Sequence, residues 1–124
     1  MLSEKFHEVL TKEGVVSIVS AGPTEPHVVA TWNSYLVITD DERILIPAYA
    51  MRRTEENTKK NSKVKLSLGS KEVLGHNDYQ GTGFVVEGTA KYIESGSEYD
   101  MMKEKFSFLT RVLEVTPTTA KQML

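Results

Sequence analysis

The chain has 124 residues, of which 40% are hydrophobic and 26% charged, and 15 basic against 17 acidic side chains give a formal net charge of −2. This size and composition predict one soluble globular domain over residues 1–124, and the lack of a basic excess excludes an electrostatic case for nucleic-acid binding. The sequence contains no cysteine, which excludes disulfides, thiolate catalysis and cysteine-ligated iron–sulfur clusters. No apolar run approaches the roughly 18 residues of a membrane span and no targeting segment is recognisable, so we expect a cytoplasmic protein without a membrane partner.

The chain is predicted to begin with a short helix followed by a strand. Apolar residues recur at helical spacing between Leu2 and Leu10, with Ser3 placed to cap the helix and Gly14 to end it. Residues 15–21 are apolar and rich in β-branched side chains, which predicts a strand, and residues 22–26 carry the glycine and prolines of a turn.

Residues 27–40 form the longest extended stretch, and we predict a half-buried strand that is bent midway. Its even positions make a mainly apolar face, as period-two alternation requires. The cluster Thr31, Trp32, Asn33 and Ser34 interrupts it with polar groups. Two interpretations stay open: these groups hydrogen-bond the edge of a flat heterocycle, or one core tryptophan is flanked by surface residues.

The stretch from Ile44 to Asn61 combines a buried strand with a helix that lacks an apolar stripe. Residues 44–46 are apolar and follow an acidic turn, and the chain then passes through Pro47 into the polar segment 52–62. Arg52, Arg53 and Thr54 fall in the first turn of the predicted helix, where free N–H groups and the helix dipole attract anions. This pattern fits a phosphate site and, equally well, a solvated surface helix with an accidental charge run.

The C-terminal half predicts three more strands and two more helices. We assign them as a strand 63–72, a glycine-rich loop 74–83, a strand 84–93, a helix 98–109, a strand 111–115 and a terminal helix that starts at Thr116-Pro117. The whole pattern predicts a mainly β, α+β fold, a six-stranded antiparallel split β-barrel with short flanking helices. An oligonucleotide-binding type of barrel also fits the strands, but the basic and aromatic face that it needs is absent.

The chain offers little chemistry of its own. His7, His27 and His76 lie on separate predicted elements without ligand spacing, so we predict no metal site. No serine or threonine lies in a nucleophile motif and no carboxylate pair stands out, so we assign no catalytic residue. Any chemistry should therefore belong to a bound cofactor.

At this level the sequence resembles a family, the small FMN-binding proteins of sulfate-reducing bacteria. They are split-barrel flavoproteins related to pyridoxamine 5′-phosphate oxidase and to flavin reductases. The likeness extends in order over nearly the whole chain and rests on four motifs: Thr31-Trp32-Asn33-Ser34-Tyr35-Leu36, Pro47 with Met51-Arg52-Arg53-Thr54-Glu55, Leu68-Gly69-Ser70, and Gly81-Thr82-Gly83-Phe84.

The resemblance implies FMN at a homodimer interface and assigns residues to it. Arg53 and Thr54 would hold the phosphate, where the family often has lysine and threonine. Thr31, Trp32, Asn33 and Ser34 would line the flavin, and Pro47, Ala48 and Met51 would border its ring and ribityl chain. Phe108 stands where the close relative has tryptophan, Leu124 matches a C-terminal leucine that reaches the partner's flavin, and Glu13 would set charge near the interface.

Three functional classes follow. The resemblance implies an electron-transfer protein, with a redox partner protein, or alternatively an NAD(P)H-dependent flavin reductase, although no nicotinamide site is recognisable. The chain is shorter than pyridoxamine 5′-phosphate oxidase and lacks its C-terminal substrate-binding segment, so we do not expect that activity. A cofactor-free barrel would leave Arg53 and Thr54 unexplained.

Overall fold

A computed structural model describes all 124 residues as one antiparallel sheet with three helices packed around it. The helices are α1 (Glu4–Leu10), α2 (Arg52–Lys60) and α3 (Ser97–Lys105). The strands are β1 (Val15–Ala21), β2 (Pro26–Trp32), β3 (Val37–Ile38), β4 (Ile44–Ala48), β5 (Lys63–Leu74), β6 (Gln80–Ile93) and β7 (Arg111–Gln122). No helix is long and apolar enough to cross a membrane.

The seven strands follow the order β2-β1-β5-β6-β7-β4-β3. The two edge strands, β2 and β3, are consecutive in the chain and are joined by the 3-10 turn Asn33–Tyr35 and Leu36. Because so short a connection cannot span a flat seven-stranded sheet, the sheet must curl until its edges approach each other. No hydrogen-bonded ladder joins β2 to β3, so the sheet is not closed. The prediction of a mainly β, antiparallel fold is confirmed, but with seven strands rather than six.

The additional strand arises because the stretch 27–40 is two strands and not one. Asn33 is fully buried, and its side-chain amide donates to the carbonyls of Lys12 and Gly69, each at 3.0 Å. Its backbone N–H donates to Gly14 at 2.9 Å. These bonds draw the chain inward after Trp32 and end β2 there, since a continuing strand would leave the buried amide unsatisfied.

The prediction of a terminal helix from Thr116 is wrong, because β7 continues to Gln122. Pro117 lies opposite Gly88, where the register between β6 and β7 shifts, so its missing N–H costs no regular ladder bond. A Cβ at Gly88 would lie 2.4 Å from the Thr116 carbonyl oxygen, so the close approach of the two strands requires glycine.

Two further boundaries differ. The predicted helix 98–109 ends at Lys105, and the Lys103 ammonium donates to the carbonyls of Ser107 (2.8 Å) and Leu109 (2.6 Å) in the loop that follows. The predicted loop 74–83 is a tight hairpin, with strand on both sides of a 3-10 turn at His76–Asp78. Sequence patterns fix element ends poorly, because end contacts are tertiary.

The main core lies between the concave face of the sheet and α1. Phe6 and Val9 of α1 are fully buried, and the Phe6 ring meets Phe84 edge-on with 5.3 Å between centroids. Ser3 caps α1 through its hydroxyl, as predicted. α2 differs, since the side chains that it buries are polar: Thr54, Glu55, Asn57 and Thr58.

Candidate functional site

The entry into α2 has an unusual backbone conformation. Ala50 (φ 57°) and Met51 (φ 53°) are both left-handed, which costs about 1–2 kcal/mol for each such residue. The first helical bond runs from Glu55 N–H to the Met51 carbonyl at 3.0 Å, and the N–H groups of residues 52–54 find no acceptor within the chain. Free amides at a helix start form a site for an anion.

Thr54 provides an independent indication of a ligand at this place. Its side chain is fully buried, yet its hydroxyl has no hydrogen-bond partner. A buried hydroxyl without a partner costs about 1–3 kcal/mol, and such a group in a native fold calls for an explanation. A bound acceptor at the start of α2 would supply the missing bond.

Arg53, the neighbour of Thr54 in the first turn of α2, faces solvent. It is exposed, makes no ion pair or hydrogen bond within the chain, and lines a cleft of about 430 Å³ between α2 and the turn that joins β1 to β2. Lys60 and His27 line this cleft too. The guanidinium is therefore free to pair with an anionic ligand.

Beneath the first turn of α2 lies an ion pair that the sequence analysis missed. The Nε atom of Arg111 donates to Glu55 Oε1 at 2.8 Å, and both residues are buried. Burial raises the pKa of Glu55, but the hydrogen bond and charge of Arg111 outweigh that effect, and the net pKa is lowered. A charged residue within the apolar strand 111–115 was the available indication of this pair.

A second group of polar residues lies at the far end of β2. Ser34 donates to the Glu13 carboxylate twice, from its hydroxyl at 2.7 Å and from its backbone N–H at 3.2 Å. These bonds lower the pKa of Glu13 and keep it ionised, and the bond from the Ser34 hydroxyl has the larger effect. Trp32 stands beside them, 45% exposed and opposite Val15 on the outer face of the sheet.

The remaining predicted ring-lining residues are mainly inside. Thr31 is buried on the inner face of β2, and the Asn33 amide serves the interior contacts described above. Pro47 and Ala48 are buried in β4, and Met51 is half-buried against the main core. The Asn33 side-chain nitrogen is thus occupied, whereas its side-chain oxygen is buried without a hydrogen-bond partner.

Phe108 and Leu124 lie at separate places. Phe108 is half-exposed and packs against Tyr35, in the turn after β2, with 5.5 Å between ring centroids. Leu124 accepts a hydrogen bond from the His76 N–H at 2.8 Å and shares a surface depression with Glu13. The structure thus brings Trp32, Ser34 and Glu13 together at one end of β2, and Arg53 lies near its other end at His27.

The distance between the two ends of β2 limits the length of a ligand that could contact both. His27 and Trp32 are five residues apart in an extended strand, which is about 17 Å. An elongated ligand with an anion at one end and a flat polar ring at the other matches this spacing.

Comparisons with known proteins identify relatives of this chain. Residues 2–124 match the profile of the family described as "Pyridoxamine 5'-phosphate oxidase". The chain is 40% identical over 124 residues, the full length of both proteins, to the "FMN-binding protein" of Nitratidesulfovibrio vulgaris (strain DSM 19637 / Miyazaki F).

Two solved structures share the fold at low sequence identity. HupZ of Group A Streptococcus superposes with a TM-score of 0.80 at 14% identity, covering 99% of this chain and 94% of HupZ. An FMN-binding protein from Syntrophomonas wolfei superposes with a TM-score of 0.74 at 17% identity, covering 99% of this chain and 86% of its own.

Proposed function

The chain belongs to the pyridoxamine 5′-phosphate oxidase family, and from this premise we propose that it is a flavoprotein that holds FMN at a homodimer interface and transfers electrons. The observation that carries the proposal is the buried Thr54 hydroxyl without a partner, beside free amides at the start of α2. FMN offers the acceptor that this site lacks, since its phosphate carries three strong acceptor oxygens.

The residues at the start of α2 fit the phosphate. Thr54 and the free amides would donate to its oxygens, and Arg53 would add a charge-assisted bond from the solvent side. The isoalloxazine would then extend along β2 toward Trp32 and Ser34, bordered by Pro47, Ala48 and Met51 as the family likeness implies. When bound, FMN supplies the redox chemistry, and the chain binds and orients it.

The homodimer is supported by an apolar stripe on the outer face of β1 and β2. Val15 and Val28 are more than half exposed, and the cross-strand pairs Val15–Trp32 and Val19–Val28 share this face, with the pair Ser17–Ala30 between them. The outer face of the neighbouring β5 is polar by contrast, with Lys63, Lys65 and Ser67 exposed. An exposed apolar patch of this kind typically marks an interface, and a symmetric dimer would bury the same patch on both subunits. In this proposal the curled sheet is the split barrel of the family.

The test of the cofactor is Arg53→Ala, titrated with FMN and riboflavin by flavin fluorescence quenching. One charge-assisted bond is worth roughly 1.5–3 kcal/mol, so FMN affinity should fall about ten- to a hundredfold while riboflavin affinity stays nearly unchanged. Lys5→Ala on α1 removes an equal charge far from α2 and should leave both affinities alone. Equal losses for both flavins at Arg53→Ala would disprove the phosphate assignment.

The second candidate is a flavin reductase that takes hydride from NADH or NADPH. Hydride transfer needs the nicotinamide in near-contact with the flavin face, whereas a single electron can leave through an exposed ring edge. Trp32 and Phe108 have exposed aromatic side chains, and Phe108 packs against Tyr35. These side chains would crowd the face of the flavin ring, which favours the electron carrier.

Anaerobic stopped-flow bleaching of the flavin separates the two functions. We expect fast reduction by a small one-electron donor and slow reduction by either nicotinamide. Nicotinamide rates in the usual enzymatic range of about 1–1,000 per second would establish the reductase instead. Deletion of Leu124, which the family likeness places against the partner's flavin, should raise the nicotinamide rate if crowding is the cause.

A further inference from the structure

We infer that Arg111 is a positioning residue for the flavin phosphate: its guanidinium fixes the left-handed corner Ala50–Met51 and the first turn of α2, so that the free amides and Thr54 face one point. The inference rests on the proposed FMN function. It concerns a residue of β7 that lies beneath the site and is buried away from solvent.

The Arg111 guanidinium bonds three residues around the left-handed corner. Besides its bond to Glu55 in α2, Arg111 donates from Nη2 to the carbonyl of Ala50, the first left-handed residue. Its Nη1 donates to the Thr110 hydroxyl at 2.9 Å, and that hydroxyl in turn donates to the Ala48 carbonyl at 3.3 Å. These bonds fix the chain before the corner at Ala48, within it at Ala50 and after it at Glu55.

This corner needs external support. Neither Ala50 nor Met51 is glycine, so both carry the steric cost of the left-handed region. Strain of this kind persists only where the surroundings over-determine the conformation. α2 has no side-chain N-cap of its own, because the cap position is Met51. Arg111 is the polar side chain that bonds the backbone within the corner.

The chemistry of the grip requires arginine. A guanidinium presents five N–H donors in a rigid planar fork, whereas a lysine ammonium is a single point on a flexible stem. The Arg111 guanidinium also lies over the Tyr92 ring, 5.4 Å from its centroid, a cation–π contact that adds to its support. A lysine at this position would reach Glu55 or Ala50 but not bond all three partners together.

Arg111 has a second effect, on charge, that the test must separate from positioning. Glu55 lies in the same first turn as the amides and would repel a phosphate if it were unpaired. Arg111 neutralises it from below, with weaker support from Arg52 and Lys59, each at 3.5 Å. Removing Arg111 therefore both frees the corner and exposes a carboxylate charge.

The experiment measures the preference for FMN over riboflavin in the full-length protein. Arg111→Met should lower that preference about ten- to a hundredfold, the equivalent of one charge-assisted bond, with riboflavin affinity nearly unchanged. Arg111→Lys, which keeps a charge against Glu55, is the milder variant in case the first does not fold, and it should still lower the preference. Preservation of the wild-type preference in Arg111→Lys would overturn the inference.

Arg43 provides the matched control. From its position just before β4 it also bridges carboxylates of α3 and β7, at 2.5 Å to Glu98 and 2.6 Å to Glu114, but it lies away from α2. Arg43→Met should reduce stability and leave the flavin preference intact. An equal change of preference in both variants would mean that Arg111 acts only through general stability, which would overturn the inference.

Two further measurements separate the remaining explanations. Adding Glu55→Gln to Arg111→Met removes the exposed charge, and we expect the preference to stay low because the corner stays loose. Its full recovery would assign the effect to charge and overturn positioning. In the flavin-free protein, amide exchange at Glu55, whose N–H closes the corner, should be about tenfold faster in Arg111→Met and unchanged in Arg43→Met. Exchange that stays unchanged refutes positioning, whereas a wild-type protein without preference for FMN refutes the proposed function.

Discussion

Replacing Thr54 by valine should stabilise the flavin-free protein and weaken FMN binding at the same time. Valine has nearly the same shape and helix propensity as threonine, so the exchange removes one hydroxyl and little else. In the structure that hydroxyl is fully buried without a hydrogen-bond partner. If the hydroxyl bonds no ligand, Thr54→Val should raise stability and leave FMN affinity unchanged. A gain in stability together with a loss of FMN affinity therefore indicates that the hydroxyl bonds the ligand.

The magnitudes follow from the state of the hydroxyl. An unsatisfied buried polar group costs about 1–3 kcal/mol, so Thr54→Val should raise the free energy of unfolding of the flavin-free protein by about 1–2 kcal/mol. For a domain of this length that corresponds to a rise of about 3–8 °C in melting temperature. Loss of one bond to a charged phosphate should weaken FMN about tenfold.

Thr58→Val is the matched control, because Thr58 lies one turn later in α2 and is buried as well. Its hydroxyl is satisfied, with bonds to the carbonyls of Thr54 at 2.9 Å and Glu55 at 3.2 Å. This variant should therefore lose stability or stay neutral, and its FMN affinity should not change. The measurements are calorimetric melting of the flavin-free proteins and FMN titration. If Thr54→Val destabilises as Thr58→Val does and binds FMN normally, the hydroxyl has no ligand and the reasoning is refuted.

Three other outcomes can be checked. Gly14→Ala would place a Cβ 2.3 Å from the Gly69 carbonyl oxygen and 2.9 Å from Asn33 Nδ2, so urea unfolding should give a loss of about 1–3 kcal/mol; a neutral result would mean that this junction adapts. Hydrogen bonds, first from Arg43 and then from Thr39, lower the pKa of Asp41 from 3.8 to about 2. Because the pKa in the folded state lies below that in the unfolded state, the ionised Asp41 stabilises the fold above about pH 4. This contribution is lost as the pH falls toward 2. Asp41→Asn should therefore flatten the pH dependence of urea unfolding in that window, and an unchanged dependence would contradict the assignment. Val28→Lys puts a charge in the apolar stripe of β1 and β2 and should yield monomers by sedimentation at micromolar concentration, whereas persistent dimers would place the interface elsewhere.

The periodic elements of this protein are local properties of its sequence, and for that reason they were predictable. Leu2 to Leu10 has helical spacing behind a serine cap, and residues 63–72 alternate as a half-buried strand does; both elements form as expected. The start of α2 was predictable too, since Arg53 and Thr54 occupy the first turn of a polar segment. The site roles assigned to these and the other residues from the resemblance stay predictions.

Tertiary structure decided the elements whose local pattern is ambiguous. The stretch 27–40 alternates like one strand, but the burial of the Asn33 amide against Lys12 and Gly69 ends β2 early. Residues 116–122 begin as a helix would, with proline at the first position. The long partner strand β6 offers them a ladder instead, with a bulge opposite Gly88 that accommodates Pro117.

The candidate site divides in the same way. The sequence by itself determined that the α2 segment has no apolar stripe, and this indicated that something other than core packing holds it. Only the tertiary structure identified that support as Glu55 paired with Arg111, residues 56 positions apart. No pattern within a helix or strand reports a pair so distant, because its partners meet only when β7 folds beneath α2. Residue types and short spacings can be analysed from the sequence, whereas polar pairs between distant residues form only when the chain has folded.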